Sequence, residues 1–225
     1  MATEKVVTLV SKAQTLLQDA TSVRWPLLEL QGWLNDAYRE AVNLRPDCNT
    51  LVGTFTCVAG PRQNITAQFP AALRLVEVVR NLAATSDKRA VALTTRKTLD
   101  GQLRTWYANT QSVTIEQYVF DPRTPKEFLV YPPATTLAQL EVVYSAVPTA
   151  HTLTSEQLGN TATAEVIRID DSYANALVDY MLYRAYSKNT ESPTNATKAG
   201  AYYQAFQNAL GVKGQTEAAS QPGVA

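Results

Sequence analysis

Histidine, cysteine and surplus charge are all scarce in this chain of 225 residues, and each scarcity removes a class of function. Lys+Arg and Asp+Glu both number 20, so the formal net charge is zero. A chain that holds a nucleic-acid backbone usually carries a basic excess, because phosphate neutralisation supplies most of the affinity. None is present, and no basic block stands out. The two cysteines, Cys48 and Cys57, make no disulfide framework, and with no histidine near them they suggest free thiols rather than a metal site. No apolar run approaches the roughly 20 residues of a membrane span. Met1 to Thr8 lacks a basic stretch followed by an apolar core, so no signal peptide is expected, and folding is expected in the cytoplasm of the cell that makes the chain. Charged residues are 18% of the chain, against roughly 25% in typical soluble domains. A surface covered by partners would give this figure, as would a large monomeric core.

What is present is helical at both ends. Val6, Leu9, Val10, Ala13, Leu16 and Leu17 share one face at helical spacing, with Thr3 as a candidate N-cap. Leu27, Leu30, Trp33, Leu34, Ala37, Tyr38, Ala41 and Val42 continue that period from Pro26 to Leu44, and Pro46 stops it. Near the other end, Asp170, Asp171 and Ser172 predict a helix start. Ala174, Leu177, Val178, Met181, Leu182 and Ala185 form its apolar face. Pro193 opens a last helix carrying Ala196, Ala199, Tyr203, Phe206 and Leu210, with Gly211 as its C′ residue. Residues 212–225 show no period and are expected to form an extended tail.

The middle of the chain changes chemistry. Residues 51–58 predict a strand, Ala59-Gly60-Pro61 a turn, and 62–66 the return strand of a hairpin. Further strands are expected at 73–82, paired with 90–94; at 113–120; at 127–131, ended by Pro132-Pro133; and at 137–147. A short helix or turn is expected at 96–103, and 151–164 reads as a threonine-rich loop. The expected fold is α+β: a helical bundle of N- and C-terminal helix pairs with an inserted antiparallel β-sandwich or small barrel. The divisions are 1–47 for the first hairpin, 48–150 for the β domain, 151–211 for the second hairpin and 212–225 for the tail.

Catalytic patterns are missing. The single histidine, His151, lies in a polar stretch and reads as a solvated loop residue rather than a base. There is no Gly-rich phosphate cradle and no Gly-x-Ser-x-Gly elbow. Asp19, Asp170 and Asp171 fit local capping roles, and Asp36 and Glu40 beside Arg39 fit a solvated helix face. No catalytic residue, metal or cofactor is expected. Tyr173, Tyr180, Tyr183, Tyr186, Tyr202 and Tyr203 divide between packing and interface roles, with Tyr180 and Tyr183 expected inside. Tyr202 and Tyr203 cannot both face one core. With Phe206 they are the candidate protomer-interface residues. Trp106-Tyr107 on a β domain fits a sugar platform or a core plug.

The order of several motifs carries a resemblance. Trp25-Pro26-Leu27-Leu28-Glu29-Leu30-Gln31-Gly32-Trp33-Leu34-Asn35-Asp36-Ala37-Tyr38-Arg39-Glu40 runs to an Arg45-Pro46-Asp47 stop. Gly60-Pro61-Arg62-Gln63 follows, then Val130-Tyr131-Pro132-Pro133 and Val143-Tyr144-Ser145-Ala146-Val147-Pro148. Asp179-Tyr180-Met181-Leu182-Tyr183-Arg184-Ala185-Tyr186-Ser187-Lys188 leads into Ala201-Tyr202-Tyr203-Gln204-Ala205-Phe206. Over residues 20–211 this order resembles the head-to-tail adaptor, or connector, proteins of tailed bacteriophages. The resemblance implies a structural virion protein of the neck, made in the bacterial cytoplasm. It implies a homo-oligomeric ring, expected to be a dodecamer, beneath the portal protein. The ring would extend the DNA channel, let DNA pass without sequence-specific binding, and seat the next tail or nozzle protein. Portal contact would fall on Val212, Lys213, Gln215, Thr216, Glu217, Gln221 and Val224. Another neck or tail-tube protein is the alternative, and a carbohydrate-binding module a more distant one.

Overall fold

The computed structural model describes residues 2–188 and 193–220, with 212–220 as backbone alone. In chain order the elements are α1 (Val6–Leu17), α2 (Leu27–Leu44), β1 (Thr50–Thr56), β2 (Gly60–Asn64), β3 (Ala72–Asn81), β4 (Ala92–Thr94), α3 (Arg96–Gln102), β5 (Gln117–Phe120), β6 (Glu127–Ala134), β7 (Gln139–Ala146), α4 (Ser155–Gly159), α5 (Ala174–Lys188) and α6 (Pro193–Ser220). The fold is α+β. The chain divides into a helical unit, Met1–Cys48 with Pro148–Ala225, and a β unit, Asn49–Val147.

In the helical unit each amphipathic stripe finds a partner. Val6, Leu9, Val10 and Ala13 of α1, Leu30, Leu34, Ala37 and Tyr38 of α2, Leu177, Met181 and Leu182 of α5, and Phe206 and Leu210 of α6 belong to one buried cluster. Pro26 stands just before α2, and its carbonyl accepts from the Glu29 and Leu30 N–H groups. This is the place where a missing N–H costs nothing. Thr3 does not cap α1, which starts after Lys5. The Thr3 N–H and hydroxyl instead bind the Asp171 carboxylate at 2.8 and 2.6 Å, and the Glu4 N–H joins them at 2.9 Å. Asp170 accepts from the Ser172 N–H and opens the turn before α5. The stretch read as a threonine-rich loop contains α4, started by a Thr154/Gln157 capping box.

The β unit is a sandwich of two sheets, β1-β7-β3 and β2-β6-β5-β4. Their inner faces interdigitate Phe55, Leu75, Val78, Leu140, Val142 and Tyr144 with Tyr118, Phe128 and Val130. Four expectations are corrected. The 51–58 and 62–66 segments form no hairpin, because β1 pairs with β7 while β2 pairs with β6 in the other sheet. The cause lies in the connection: Gly60 takes φ +109°, and the buried Gln63 side chain binds the Val58 N–H, the Val58 carbonyl and the Gly60 carbonyl. Second, the strand after β3 only bridges to it, at Arg80 and Ala90, before β4 joins β5 in parallel, so the second sheet is mixed. Third, β6 runs through Pro132 and Pro133 to Ala134. The stretch 113–116 is not strand. There Asn81, fully buried, accepts the Ile115 N–H at 2.8 Å and donates to the Ile115 carbonyl at 2.8 Å and the Arg89 carbonyl at 3.0 Å.

Asn81→Ala removes the partners of two buried backbone groups, the Ile115 N–H and C=O. At about 1–3 kcal/mol per orphaned group, the expected loss is about 2–6 kcal/mol. Urea unfolding followed by circular dichroism measures it. A loss under about 0.5 kcal/mol would show that the side chain does not hold that segment.

Candidate functional site

The densest polar arrangement in the helical unit centres on the residue read as a solvated loop histidine. Helix α2 presents Gln31 and Asn35 one turn apart toward the extended segment that follows the β unit. The Asn35 amide accepts from the His151 N–H at 2.8 Å and donates to the His151 carbonyl at 3.0 Å. Gln31 does the same for Leu153, at 2.9 and 3.2 Å. Thus clamped, His151 is 2% exposed, which corrects the solvated reading. Its Nδ1 lies 2.5 Å from Glu165 Oε1 and its Nε2 lies 3.0 Å from the Tyr38 hydroxyl. Tyr38 in turn accepts from the Arg168 N–H at 3.3 Å, and Arg168 pairs with Glu165 at 2.9 Å.

This Tyr–His–Glu chain has the outline of a nucleophile, base and orienting acid. Its chemistry is spent internally. With the proton on Nδ1, the neutral imidazole donates to Glu165 and accepts from the Tyr38 O–H, so every group is satisfied. Tyr38 is 1% exposed and burial pushes its phenol far up, away from nucleophilic use. Burial also pushes the His151 pKa down, against the raising effect of the Glu165 hydrogen bond. Burial works against the Glu165 carboxylate too, but its bonds from His151 and Arg168 hold it below the usual range. Protonated His151 would donate from Nε2 to Tyr38 and strand the phenolic proton. The network is a structural lock.

The other carboxylates act as ties between segments. Asp19 accepts from the Val23, Arg24 and Trp25 N–H groups, which hold its pKa down and shape the turn into α2. Asp36 lies 3.2 Å from Arg39 and 3.4 Å from Arg184 on α5, and Glu40 accepts from the Tyr203 hydroxyl at 3.0 Å. This face of α2 is therefore engaged with α5 and α6, not simply solvated. No group of three or more metal-ligating side chains occurs among the described residues. The two cysteines form no disulfide, and burial pushes the Cys57 thiol up to about 12.

The candidate contact residues separate by burial. Phe206 is 0% exposed, stacked edge-on against Tyr180, and so is a core residue rather than a presented one. Tyr203 is half-buried between Tyr183 and Glu40. Tyr202 is half-buried and lies flat on Tyr186, over which Lys198 also sits. The α6 helix does not end at Gly211 but runs on to Ser220, so Val212, Lys213, Gln215, Thr216 and Glu217 lie on a helix rather than an extended tail. A Gly inside a helix weakens it by about 1 kcal/mol and need not stop it. Gln221 and Val224 lie outside the described residues. In the β unit Trp106 is 2% exposed, its indole N–H bonded to Asp100 at 2.8 Å. A buried ring offers no platform for sugar, and the core-plug reading of Trp106 holds.

The one buried histidine is tied into internal hydrogen bonds, and the comparisons with known proteins give the family. The SU10 adaptor protein family matches residues 5–225. The chain belongs to that family. This is a phage head-to-tail adaptor family, as the motif order implied, and the chain is a structural adaptor protein of a phage. No curated protein matches it. No helix among the described residues is long and apolar enough to cross a membrane.

The lock predicts a pH dependence. A histidine whose folded pKa lies below its unfolded value of about 6.5 contributes stability above that value and loses it as pH falls. The urea midpoint should therefore drop between about pH 7 and pH 5, and His151→Gln, less stable at pH 7, should show a flatter curve. Parallel curves for the two proteins would exclude His151 as the group responsible.

Proposed function

We propose that this adaptor assembles as a ring beneath the phage portal, extends the DNA channel and seats the next tail or nozzle protein. The observation that carries this is the family match over residues 5–225, nearly the whole chain. The role is architectural, and the burial of Tyr38 and His151 in the triad-like Tyr38, His151 and Glu165 chain of the helical unit supports that reading. Twelve copies, one per portal subunit, suit a dodecameric portal. Tyr202 and Tyr203 are proposed to contribute to contacts between protomers. Residues 212–220 of α6, with Gln221 and Val224 beyond them, are proposed to reach the portal.

The charge supports a channel role. DNA must slide, so a net charge of zero avoids the steep phosphate affinity of a basic lining. Ring geometry also helps a modest contact: once one protomer is seated, its neighbours bind at high effective concentration.

The test is to mix the purified chain with portal protein and count copies by mass photometry and class-averaged electron microscopy. A twelve-fold ring is expected, and no stable complex would overturn the reading. A chain ending at Gly211 should bind portal at least tenfold more weakly. Full binding by that truncated chain would remove the C-terminal segment from the contact and leave the ring reading in place.

A further inference from the structure

Among the described residues of the helical unit, one half-buried carboxylate has no polar partner. Asp179, on α5, is half-buried and makes no hydrogen bond or ion pair among the described residues. Burial alone acts on it, pushing its pKa up. It lies in a cleft of about 660 Å³ between α1 and α5, lined among others by Val7, Ser11, Thr15, Leu16 and Val178. The cations at the rim are occupied: Lys12 pairs with Glu4 at 2.5 Å, and Lys5 donates to the Thr161 carbonyl at 3.2 Å. Leu16 is 52% exposed and also lines the neighbouring hollow formed with Tyr186 and Tyr202. The cleft thus joins an exposed leucine, a stacked tyrosine pair and a desolvated negative charge.

The complementary surface exists on the same chain, in the β unit. There β5 and β6 turn Val119, Leu129 and Tyr131 away from the sandwich core, and α3 with the following turn covers them through Leu99 and Trp106. The outward side of this knob carries Leu103, 41% exposed, and Tyr107, 49% exposed. Lys97 on α3 and Arg104 in the following turn are exposed, neither with an ion pair among the described residues. The units as wholes repeat the contrast. The β unit holds ten Lys/Arg against seven Asp/Glu, and the helical unit ten against thirteen.

We infer that the α1–α5 cleft of one copy receives the α3 knob of a second copy, with Lys97 or Arg104 against Asp179 and Leu103 and Tyr107 against Leu16. Two different surfaces then meet, which makes the contact heterologous, the kind that repeats around a ring. A half-buried carboxylate that lacks a partner is a cost to the free protomer, and a cation supplied by a neighbour removes it. The inference rests on the ring reading above.

The experiment uses the full chain with portal protein. A photo-crosslinking residue at Leu16 is expected to capture peptides from 96–107 of another copy on assembled rings. Asp179→Asn should leave the melting temperature of the free protomer unchanged or raised, yet weaken ring assembly at least tenfold. Asp179→Arg should abolish assembly, and combining it with Lys97→Glu and Arg104→Glu should restore at least a tenth of it. Crosslinks to portal, to another segment or to nothing, or rings of normal affinity from Asp179→Asn, would overturn this contact while leaving the ring itself standing. Failure of the wild-type chain to form a ring would overturn both.

Discussion

The helical unit depends on one interaction, the grip of Gln31 and Asn35 on residues 151 and 153. The chain leaves this unit at Cys48 and returns at Pro148, so nothing local tells the second helical pair where to sit. Two amides on α2 do. Residues four apart on a helix are separated by about 6 Å along its axis, and residues two apart on an extended chain by about 6.6 Å. The spacings match closely enough for each amide to make both of its bonds to one backbone residue. A strand-like ladder is thereby built between a helix and a strap. It fixes the register of the returning chain and satisfies four backbone groups that would otherwise be buried without partners.

The rest follows along the chain. With 151 fixed, the His151 ring falls between Tyr38 and Glu165. Glu165 stands beside Val166, which bridges to Lys5, while the Glu165 carbonyl accepts from the Val6 N–H. This places the start of α1. Asp171 then ties Thr3 and Glu4, and the turn it begins leads into α5. A sequence separated by an insertion is thus closed by backbone pairing, and the apolar stripes pack on a frame already set.

Periodic elements were legible because their signal is local. The stripes of α2 and α5 appear in the sequence as they do in the core, and so does the alternation of Leu140, Val142 and Tyr144 in β7. The misses at the helical site share one cause: their determinants are far away in the chain. His151 looked solvated because its neighbours are polar, while its partners Tyr38 and Asn35 lie over a hundred residues earlier. Asp36 and Glu40 looked like a solvated face because Arg184 and Tyr203 arrive from the other end of the chain. The hairpin at 51–66 failed for a different reason: a turn signal does not say which sheet the next strand joins, and the Gln63 side chain shapes that connection by binding Val58 and Gly60. A clue was available in Gln31 and Asn35, since two amides on the inner side of a helix demand buried partners.

Zero net charge is a weak description of this molecule, because it sums an acidic helical unit and a basic β unit. The distribution of satisfied and unsatisfied groups says more. Inside the helical unit, Tyr38, His151 and Glu165 form one bonded chain, flanked by Arg168, in which the buried imidazole and phenol both find partners. Among the described residues, Asp179 has no polar partner in its cleft, and on the β unit Lys97 and Arg104 have no ion pair on a segment that also exposes Leu103 and Tyr107. A monomer selected only for its own stability gains nothing from such an arrangement. A protomer that must meet its neighbours does, because a group satisfied only across an interface lets the correct neighbour lower the free energy more than an incorrect one. For an adaptor, whose work is to join other proteins, the place to look for function is therefore where the fold has left its polar groups incomplete.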